Sequence, residues 1–370
     1  MRIAHVADTH LGFQRWGYPD EDGFNQRESD VYKVFNEAIG QMIERNVDVV
    51  IHAGDMFDSH HPPTRAIEVA LDGFERLKQA GIPVVAVPGN HSTPRGPMSA
   101  HVFGLLERFG VQTISGAPGR VRVGELTVTG IPHHHQPETL REQIRAVRPD
   151  PDATFNVLVL HVGTEGLAGA GDRETAPVEL EPEILNEGAE FTYMALGHLH
   201  SHDRPTRNAS YSGSLERLTF GDKASRKGWV EVDLAAPGQP GFLHLHEVEP
   251  RSFLQREPID ATDCDDLLPL LEGALEGHTL EGAMIRIPLV GVDRGLWRSF
   301  DRTTWARRTA EALHVELVPE YASSGPSPAA FTPELSEFLR SHVPKGIDAD
   351  EIVRRADDFV RQAAERLPDA

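Results

Sequence analysis

One pattern, which occurs five times, constrains the fold of this 370-residue chain more than any other feature. A short apolar run with the composition of a buried strand ends in Asp, Asn or His side chains. Ligands of α/β proteins collect beyond the carboxyl ends of the strands, so five such endings predict one shared site. The five endings are Asp8-Thr9-His10, Gly54-Asp55, Gly89-Asn90-His91, His161-Val162-Gly163 and Gly197-His198-Leu199-His200.

Two of these endings have the spacing of metal ligands. Side chains two apart on an extended chain point to the same side, so Asp8 and His10 could face one centre, as could His198 and His200. Carboxylates and imidazoles are suitable ligands for a divalent transition ion. Taken singly, each ending could equally be a polar turn after a buried strand. The five together favour one site for two metal ions.

Asp55 follows Gly54, a residue that lets the backbone turn closely at the end of its strand. His52 and Asp58 flank Asp55 and could orient metal ligands through hydrogen bonds. Simple turn chemistry explains these two residues equally well.

Asn90 can offer a neutral oxygen to a metal, while His91 points elsewhere and stays free for chemistry, although a tight turn is the alternative for both. Arg15, on the loop from Phe13 to Gln26, could grip a substrate, with a plain surface loop as the default. His133 begins a run of three histidines, and we expect this run to be a solvated loop at the rim of the site.

Composition narrows the possible partners. Asp and Glu total 57 against 36 Lys and Arg, for a formal charge of -21, so the surface as a whole repels a phosphate backbone. Any contact with nucleic acid must rely on local basic residues, on metal cations or on a partner protein. The single Cys264 fits a reducing cytoplasm, and we expect no signal peptide and no membrane span.

Periodicity predicts the elements between the endings. A helix is expected from Ser29, with Ser29 or Asp30 as its N-cap, and a second from Thr64 to Ala80. From Arg251 onward the pattern strand, helix, strand, helix, strand predicts a small α/β domain. These five elements are Phe253 to Ile259, Cys264 to Leu275, Ala283 to Leu289, Trp297 to Leu313, and Val315 to Val318.

That second region also carries a local group of basic residues in an otherwise acidic chain. A solvated helix face is favoured slightly over a phosphate contact for this group. Its members are Arg294, Arg298, Arg302, Arg307 and Arg308.

In their order and spacing, the five endings resemble the five motifs of the calcineurin-like metallophosphoesterases. More narrowly, the chain is similar to the SbcD-type DNA-repair nucleases, the catalytic partners of the SMC-like ATPase SbcC. The resemblance covers about the first 230 residues. The narrower likeness rests on Ala7 to Gly12, on His52 to Asp58, on Gly197 to His200, and on Tyr211-Ser212-Gly213-Ser214 followed by Phe220 and Lys227-Gly228.

The resemblance implies an α/β fold: a four-layer α/β/β/α metallophosphoesterase sandwich with a smaller α/β capping domain and C-terminal helices. It implies a nuclease domain over 1–250, a capping domain over 251–321 and a linker over 322–331. The helical segment 332–370 would either dock on the ATPase coiled coil or pack back on the cap.

The resemblance also implies a ligand set for two divalent metal ions. Mn²⁺ is expected, with Fe²⁺, Zn²⁺ or Mg²⁺ as alternatives, because the ligands are nitrogen and oxygen without thiolate. His91 would be an unligated imidazole beside the scissile phosphate. One ion would be held by Asp8, His10 and His200, the other by Asn90, His161 and His198, with Asp55 as the bridge.

The function implied is a two-metal DNA nuclease, an exonuclease or an endonuclease or both, that processes DNA ends in double-strand-break repair. A hydroxide bridging the metals would attack the phosphodiester. The implied partners are DNA, an SbcC-like ATPase and a second copy of the chain. The alternatives are a phosphodiesterase for small molecules such as cyclic nucleotides and a structural subunit that holds an ATPase on DNA.

Overall fold

The computed structural model describes residues 1–93, 102–164, 179–222, 225–234, 240–322, 338 and 348–356. The chain divides into two compact units. The first contains the described residues of 1–254 and 282–284, and the second contains those of 255–281 and from 285 onward.

The helices, in chain order, are α1 (Gln26–Glu44), α2 (Thr64–Gln79), α3 (Phe103–Arg108), α4 (Pro137–Ala146), α5 (Leu267–Leu275), α6 (Arg294–Ser299) and α7 (Arg302–Arg308). The strands are β1 (Arg2–Val6), β2 (Val49–Ala53), β3 (Val84–Val87), β4 (Gln112–Thr113), β5 (Gly119–Val123), β6 (Leu126–Ile131), β7 (Phe155–His161), β8 (Gly163–Thr164), β9 (Glu179–Leu180), β10 (Tyr193–Gly197), β11 (Asp203–Thr206), β12 (Ala209–Tyr211), β13 (Gly228–Asp233), β14 (Leu243–Glu247), β15 (Phe253–Gln255), β16 (Ile259–Asp260), β17 (Met284–Val292) and β18 (His314–Tyr321).

Two six-stranded sheets form the first unit. One has the order β14-β13-β1-β2-β3-β4, and the other has the order β11-β12-β10-β7-β6-β5. The strands β1 to β4 are parallel to one another, as are β6, β7, β10 and β12. The ends of β1, β2 and β3 therefore lie side by side in one sheet, and those of β7 and β10 lie side by side in the other.

Alternate side chains of the central strands enter different cores, as the two-residue period of a strand requires. Ile3 and Ile51 pack with Val128 and Val159 of the opposite sheet. Ala4 and other outward residues of the same sheet pack against α1 and α2 instead. A third core covers the outer face of the second sheet, where α4 lies. These layers confirm the predicted four-layer α/β/β/α class.

Helix α1 begins earlier than predicted. Its N-cap is Asn25, whose side-chain oxygen accepts hydrogen bonds from the backbone N–H groups of Arg27 and Glu28. Such a cap contributes about 1 kcal/mol to helix stability. The predicted start with Ser29 or Asp30 as N-cap is therefore wrong, whereas the predicted second helix coincides with α2.

The region from Arg251 onward departs most from its predicted elements in one helix. The helix predicted from Trp297 to Leu313 is two short helices, α6 and α7, separated at Phe300, which is buried. The side chain of Asp301 accepts hydrogen bonds from Thr303 and Thr304 N–H and so starts a new helix.

The strands of this region follow the predicted pattern more closely. The strand predicted from Phe253 to Ile259 is interrupted between β15 and β16. Strand β17 pairs in parallel with β16 and also pairs with β18. All five arginines of the basic group are exposed.

Most of the predicted linker over 322–331 and of the helical segment over 332–370 lies outside the described residues. Of this tail, 349–356 are helical. Among the helices that the structure describes, none is long and apolar enough to cross a membrane.

Candidate metal centre

The five predicted endings converge at one edge of the two stacked sheets. Asp8 and His10 follow β1, Asp55 follows β2, and Asn90 and His91 follow β3. From the opposite sheet, His161 ends β7, while His198 and His200 follow β10.

The turns that carry these residues are tied together and locally strained. The Asp8 N–H donates to Gly54 O at 3.0 Å, and the His10 N–H donates to Asp55 O at 3.1 Å. Asp8, His10, Asp55 and His198 have φ values of 52°, 44°, 47° and 99°, which are uncommon for residues with a side chain. Such conformations persist where the surrounding structure enforces them, and they are concentrated at functional sites.

Asp8, His10 and His200, here called the first group, are buried and offer ligand atoms that all lie within 4.8 Å of one another. His10 Nδ1 donates to Asp58 Oδ1 at 3.0 Å, which turns Nε2 towards the group. His10 Nε2 is buried and has no hydrogen-bond partner among the described residues. A buried ring nitrogen of this kind is suited to bind a cation.

The second group consists of Asn90, His161 and His198. His161 Nδ1 donates to the backbone oxygen of Ala53 at 2.8 Å, so its Nε2 faces the site. Asn90 Oδ1 lies 3.0 Å from that Nε2 and 3.2 Å from His198 Nδ1. One amide oxygen and two imidazoles therefore point at a common position.

Two carboxylates connect the groups. Asp55 Oδ2 lies 2.9 Å from His161 Nε2, and Asp8 Oδ1 lies 3.9 Å from the same nitrogen. The His198 N–H donates to both oxygens of Asp8, at 3.0 and 3.1 Å. Asp55 also gathers with His161 and His198 within 4.8 Å, and its backbone oxygen accepts a hydrogen bond from the His10 N–H of the first group.

The charges of the site perturb one another strongly. Burial disfavours the charged form of His161, but Asp55 and Asp8 outweigh burial and raise its pKa to about 9. Burial and the nearby His161 lower the pKa of His198 to about 3. Burial opposes ionisation of Asp55, yet His161 and His91 hold its pKa well below the usual range. Burial raises the pKa of Asp8.

Glycines make room for this arrangement. A Cβ on Gly54 would lie 2.0 Å from His161 Nδ1, and one on Gly89 would lie 2.4 Å from Asp55 Oδ1. A Cβ on Gly197 would lie 2.0 Å from Ala53 O. The close approach that these glycines allow, together with the buried oxygen and nitrogen ligand atoms, fits two divalent cations.

His91 stands beside the two groups. Its Nδ1 donates to the backbone oxygen of Asp58 at 2.8 Å, and its N–H donates to Asp55 Oδ1 at 2.9 Å. A cavity of about 600 Å³ is lined by His10, His91, His200 and the exposed Arg15. Leu218 and Thr219 also line this cavity.

Asp58 orients two rings at once, because its carboxylate holds His10 while its carbonyl holds His91. These three residues also offer ligand atoms within 4.8 Å of one another. Since the Asp58 carboxylate oxygen is already bonded to His10 Nδ1, we interpret this cluster as an orienting contact and not as a third metal position.

Two further predicted residues lie behind the ligands. His52 is buried and donates from Nε2 to Thr9 Oγ1 at 3.0 Å, while the Thr9 hydroxyl donates to Met56 O. His133 is only 7% exposed, and burial followed by the charge of His161 lowers its pKa to about 4. The expectation of a solvated loop is therefore wrong for His133, whose backbone N–H is bonded to Pro88 O.

Sequence reasoning missed Asp222. Its carboxylate lies 3.7 Å from His200 Nδ1 and 3.0 Å from Lys227 Nζ. Burial and the charge of Lys227 lower the pKa of His200. The carboxylate of Asp222 raises it, and the net shift is upward. The sequence offered a partial signal, because Lys227 belongs to a predicted motif although no role was assigned to it.

The fold and the site together define a phosphoesterase class. Residues 1–202 match the family described as calcineurin-like phosphoesterases, and the chain belongs to this family. The predicted family resemblance is thereby confirmed.

Among curated proteins, the chain is similar to DNA double-strand break repair proteins named Mre11. The protein of Methanococcus maripaludis is 28% identical over 269 residues, 69% of this chain and 68% of that protein. That of Sulfurisphaera tokodaii is 33% identical over 205 residues, 54% of this chain and 49% of that protein. That of Methanocaldococcus jannaschii is 30% identical over 277 residues, 72% and 70% of the two chains. The matched segments thus span from about half to 70% of these relatives.

Proposed function

We propose that this phosphoesterase is a metal-dependent DNA nuclease that processes DNA ends in double-strand-break repair. The observation that carries the proposal is the convergence of two buried ligand groups, which Asp8 links through its contacts with His161 and His198, beside the cavity lined by His91. The names of the similar proteins point to DNA as the substrate. They do not favour the alternative of a phosphodiesterase for small molecules.

The metal assignment is part of the proposal. The first group would hold one divalent ion, the second group another, and Asp55 would contact both. Nitrogen and oxygen donors without thiolate suit Mn²⁺, with Fe²⁺, Zn²⁺ and Mg²⁺ as alternatives. When bound, such ions stabilise negative charge on a phosphoryl group and lower the pKa of water.

The other residues have roles that follow from their contacts. The bond from His91 Nδ1 to Asp58 O leaves Nε2 as the nitrogen that can give a proton to a leaving oxygen. Arg15 on the cavity wall can bind a phosphate of the substrate. Asp58 would act through His10 and His91, and His52 through Thr9. His133 would act through its hydrogen bond with the backbone of His161.

The remaining assignments concern the whole protein. We propose a nuclease domain over 1–250, a capping domain over 251–321, a linker over 322–331 and a helical segment over 332–370. The helical segment would dock on an SbcC-like ATPase of the SMC type. A homodimer in the cytoplasm completes the proposal.

End-labelled hairpin, duplex and single-stranded DNA, incubated with Mn²⁺ or with Mg²⁺, test substrate class and metal together. We expect the wild-type chain to cleave DNA with Mn²⁺, and His91→Ala to lower the rate about 100- to 10,000-fold, because a general acid contributes this much. His244→Ala removes an exposed histidine of β14 and serves as the control. Cleavage of a chromogenic small phosphodiester, with all three DNA substrates intact, would overturn the proposal.

A further inference from the structure

A buried ion pair lies behind His200, on the side away from the ligand cluster. Asp222 is 0% exposed and Lys227 is 1% exposed, and their side chains meet at 3.0 Å. Asp222 Oδ2 lies 3.7 Å from His200 Nδ1, within ion-pair distance. The pair therefore contacts an imidazole of the first group without contacting the cavity.

The lysine reaches the same residue through its backbone. Lys227 Nζ donates to His200 O at 2.8 Å and to Ser214 Oγ at 2.9 Å. The Ser214 N–H also donates to His200 O, at 3.1 Å. With its carbonyl held by two donors and its ring facing a carboxylate, His200 is fixed at both ends.

Asp222 is itself held in place. Its Oδ2 accepts hydrogen bonds from Leu218 N at 3.2 Å, from Thr219 N at 3.0 Å and from Thr219 Oγ1 at 3.2 Å. Leu218 and Thr219 are among the residues that line the cavity. One carboxylate thus holds two residues that line the cavity and lies at ion-pair distance from the His200 ring.

A contribution to stability does not by itself explain why Asp222 and Lys227 are buried as an ion pair. Removing two charges from water is costly, and a buried ion pair often stabilises a protein no more than a well-packed apolar pair of equal volume. Carboxylates behind metal-binding imidazoles, by contrast, fix the ring and increase its basicity.

We propose that Asp222 and Lys227 are positioning residues for the first group and set its affinity for a metal ion. This inference rests on the proposed function, since it assumes two metal positions. Loss of the pair should weaken the position that His200 serves and spare the position of the second group.

The variant Asp222→Asn/Lys227→Met tests this, because it removes both charges together and leaves no unpaired buried cation. Manganese binding is measured by titration calorimetry, and the electron paramagnetic resonance spectrum reports whether two Mn²⁺ ions are coupled. We expect two coupled ions in the wild-type protein. In the variant we expect one retained ion, a second weakened about 10- to 100-fold, and the spectrum of isolated Mn²⁺.

A matched control separates positioning from general destabilisation. Arg27 and Glu216 form an ion pair of similar burial, 0% and 2% exposed, that contacts no member of either group. Arg27→Met/Glu216→Gln should lower the melting temperature and yet bind two coupled ions with wild-type affinity. Near-ultraviolet circular dichroism verifies the fold of each variant.

Each outcome decides one claim. A folded double variant that binds two coupled ions like the wild-type protein would overturn the positioning role and leave the proposed function intact. A wild-type protein that binds no pair of ions would overturn the proposed function and this inference with it. If the double variant does not fold, Asp222→Asn/Lys227→Gln is measured instead, because it also removes both charges and keeps a donor for His200 O, with the same expected loss and the same overturning result.

Discussion

The two ligand groups hold their imidazoles by different means. In the first group, carboxylates lie behind the rings: Asp58 bonds His10 at 3.0 Å, and Asp222 faces His200. In the second group, the partner of His161 is the backbone oxygen of Ala53, at 2.8 Å. The first group thus depends on side chains that substitution can remove, and the second depends on the close approach of two strands.

In the proposed site Asp55 would serve both groups, so its loss should have the largest effect. Asp55→Asn removes the charge beside His161 while it keeps an acceptor for the His91 N–H. Because bound ions contribute several kcal/mol to the reaction, we expect DNA cleavage to fall about 1000-fold or more, with loss of both ions. Metal analysis of the purified variant provides the second measurement, and retention of two ions at full activity would contradict the bridging position.

Gly54→Ala should disturb the second group selectively. The new Cβ would lie 2.0 Å from His161 Nδ1, so the ring must move from Ala53 O. A misplacement of about 1 Å can cost about 100-fold in rate, and we expect a loss of that size together with loss of one ion.

Gly81→Ala is the matched control for Gly54→Ala. Gly81 also has a positive φ, +75° against +100°, but a Cβ there would meet nothing within 4 Å. Both variants carry the strain of a left-handed residue, about 1–2 kcal/mol, and only Gly54→Ala should lose metal. Equal metal loss in the two variants would mean that strain, and not the His161 contact, is responsible.

Asp58→Asn should weaken the first group. It removes the carboxylate behind His10 but leaves the backbone oxygen that holds His91. We expect the affinity for one ion to fall about 10- to 100-fold, as measured by calorimetry. If instead the ion of the second group were lost, the division of the ligands between two positions would be wrong.

The sequence predicted the parts of this centre that depend on strand endings. Apolar runs such as β3 and β7 are buried on both faces, so their ends could be located, and the residues after them could be grouped. The carboxylates behind the histidine ligands were harder to predict from the sequence. Asp58 was predicted to orient ligands because it is close in sequence to Asp55, whereas Asp222 is 22 residues from His200 and meets it only through the fold.

The errors in the predicted elements also have local causes. Ser29 and Asp30 are as good N-caps as Asn25 by composition, and only the observed bonds of Asn25 decide between them. The apolar spacing around Trp297 and Trp305 continues through Phe300, so the break between α6 and α7 was not evident. His133 was predicted to be solvated because it begins a run of three histidines. Of the three, only His133 is buried.

Protons should compete with metal at His161 in the second group. In the metal-free protein the pKa of His161 is raised to about 9, so this ring carries a proton at pH 7, whereas the pKa of His198 is about 3 and that ring is neutral. A metal ligand must lose its proton, so binding at the second group should release a proton at pH 7. Manganese affinity should rise about tenfold per pH unit up to about pH 9 and then level off.

Calorimetry in buffers with different ionisation enthalpies measures the released proton, and nuclear magnetic resonance of the metal-free protein assigns it to His161. Asp55→Asn supplies the control without any metal, because it removes the nearer of the two carboxylates that raise this pKa and leaves only the more distant Asp8. Burial then dominates, so the His161 ring should be neutral at pH 7 in the variant. A neutral His161 in the metal-free wild-type protein would instead mean that Asp55 holds no charge beside it, and the proton release and its pH dependence should both be absent.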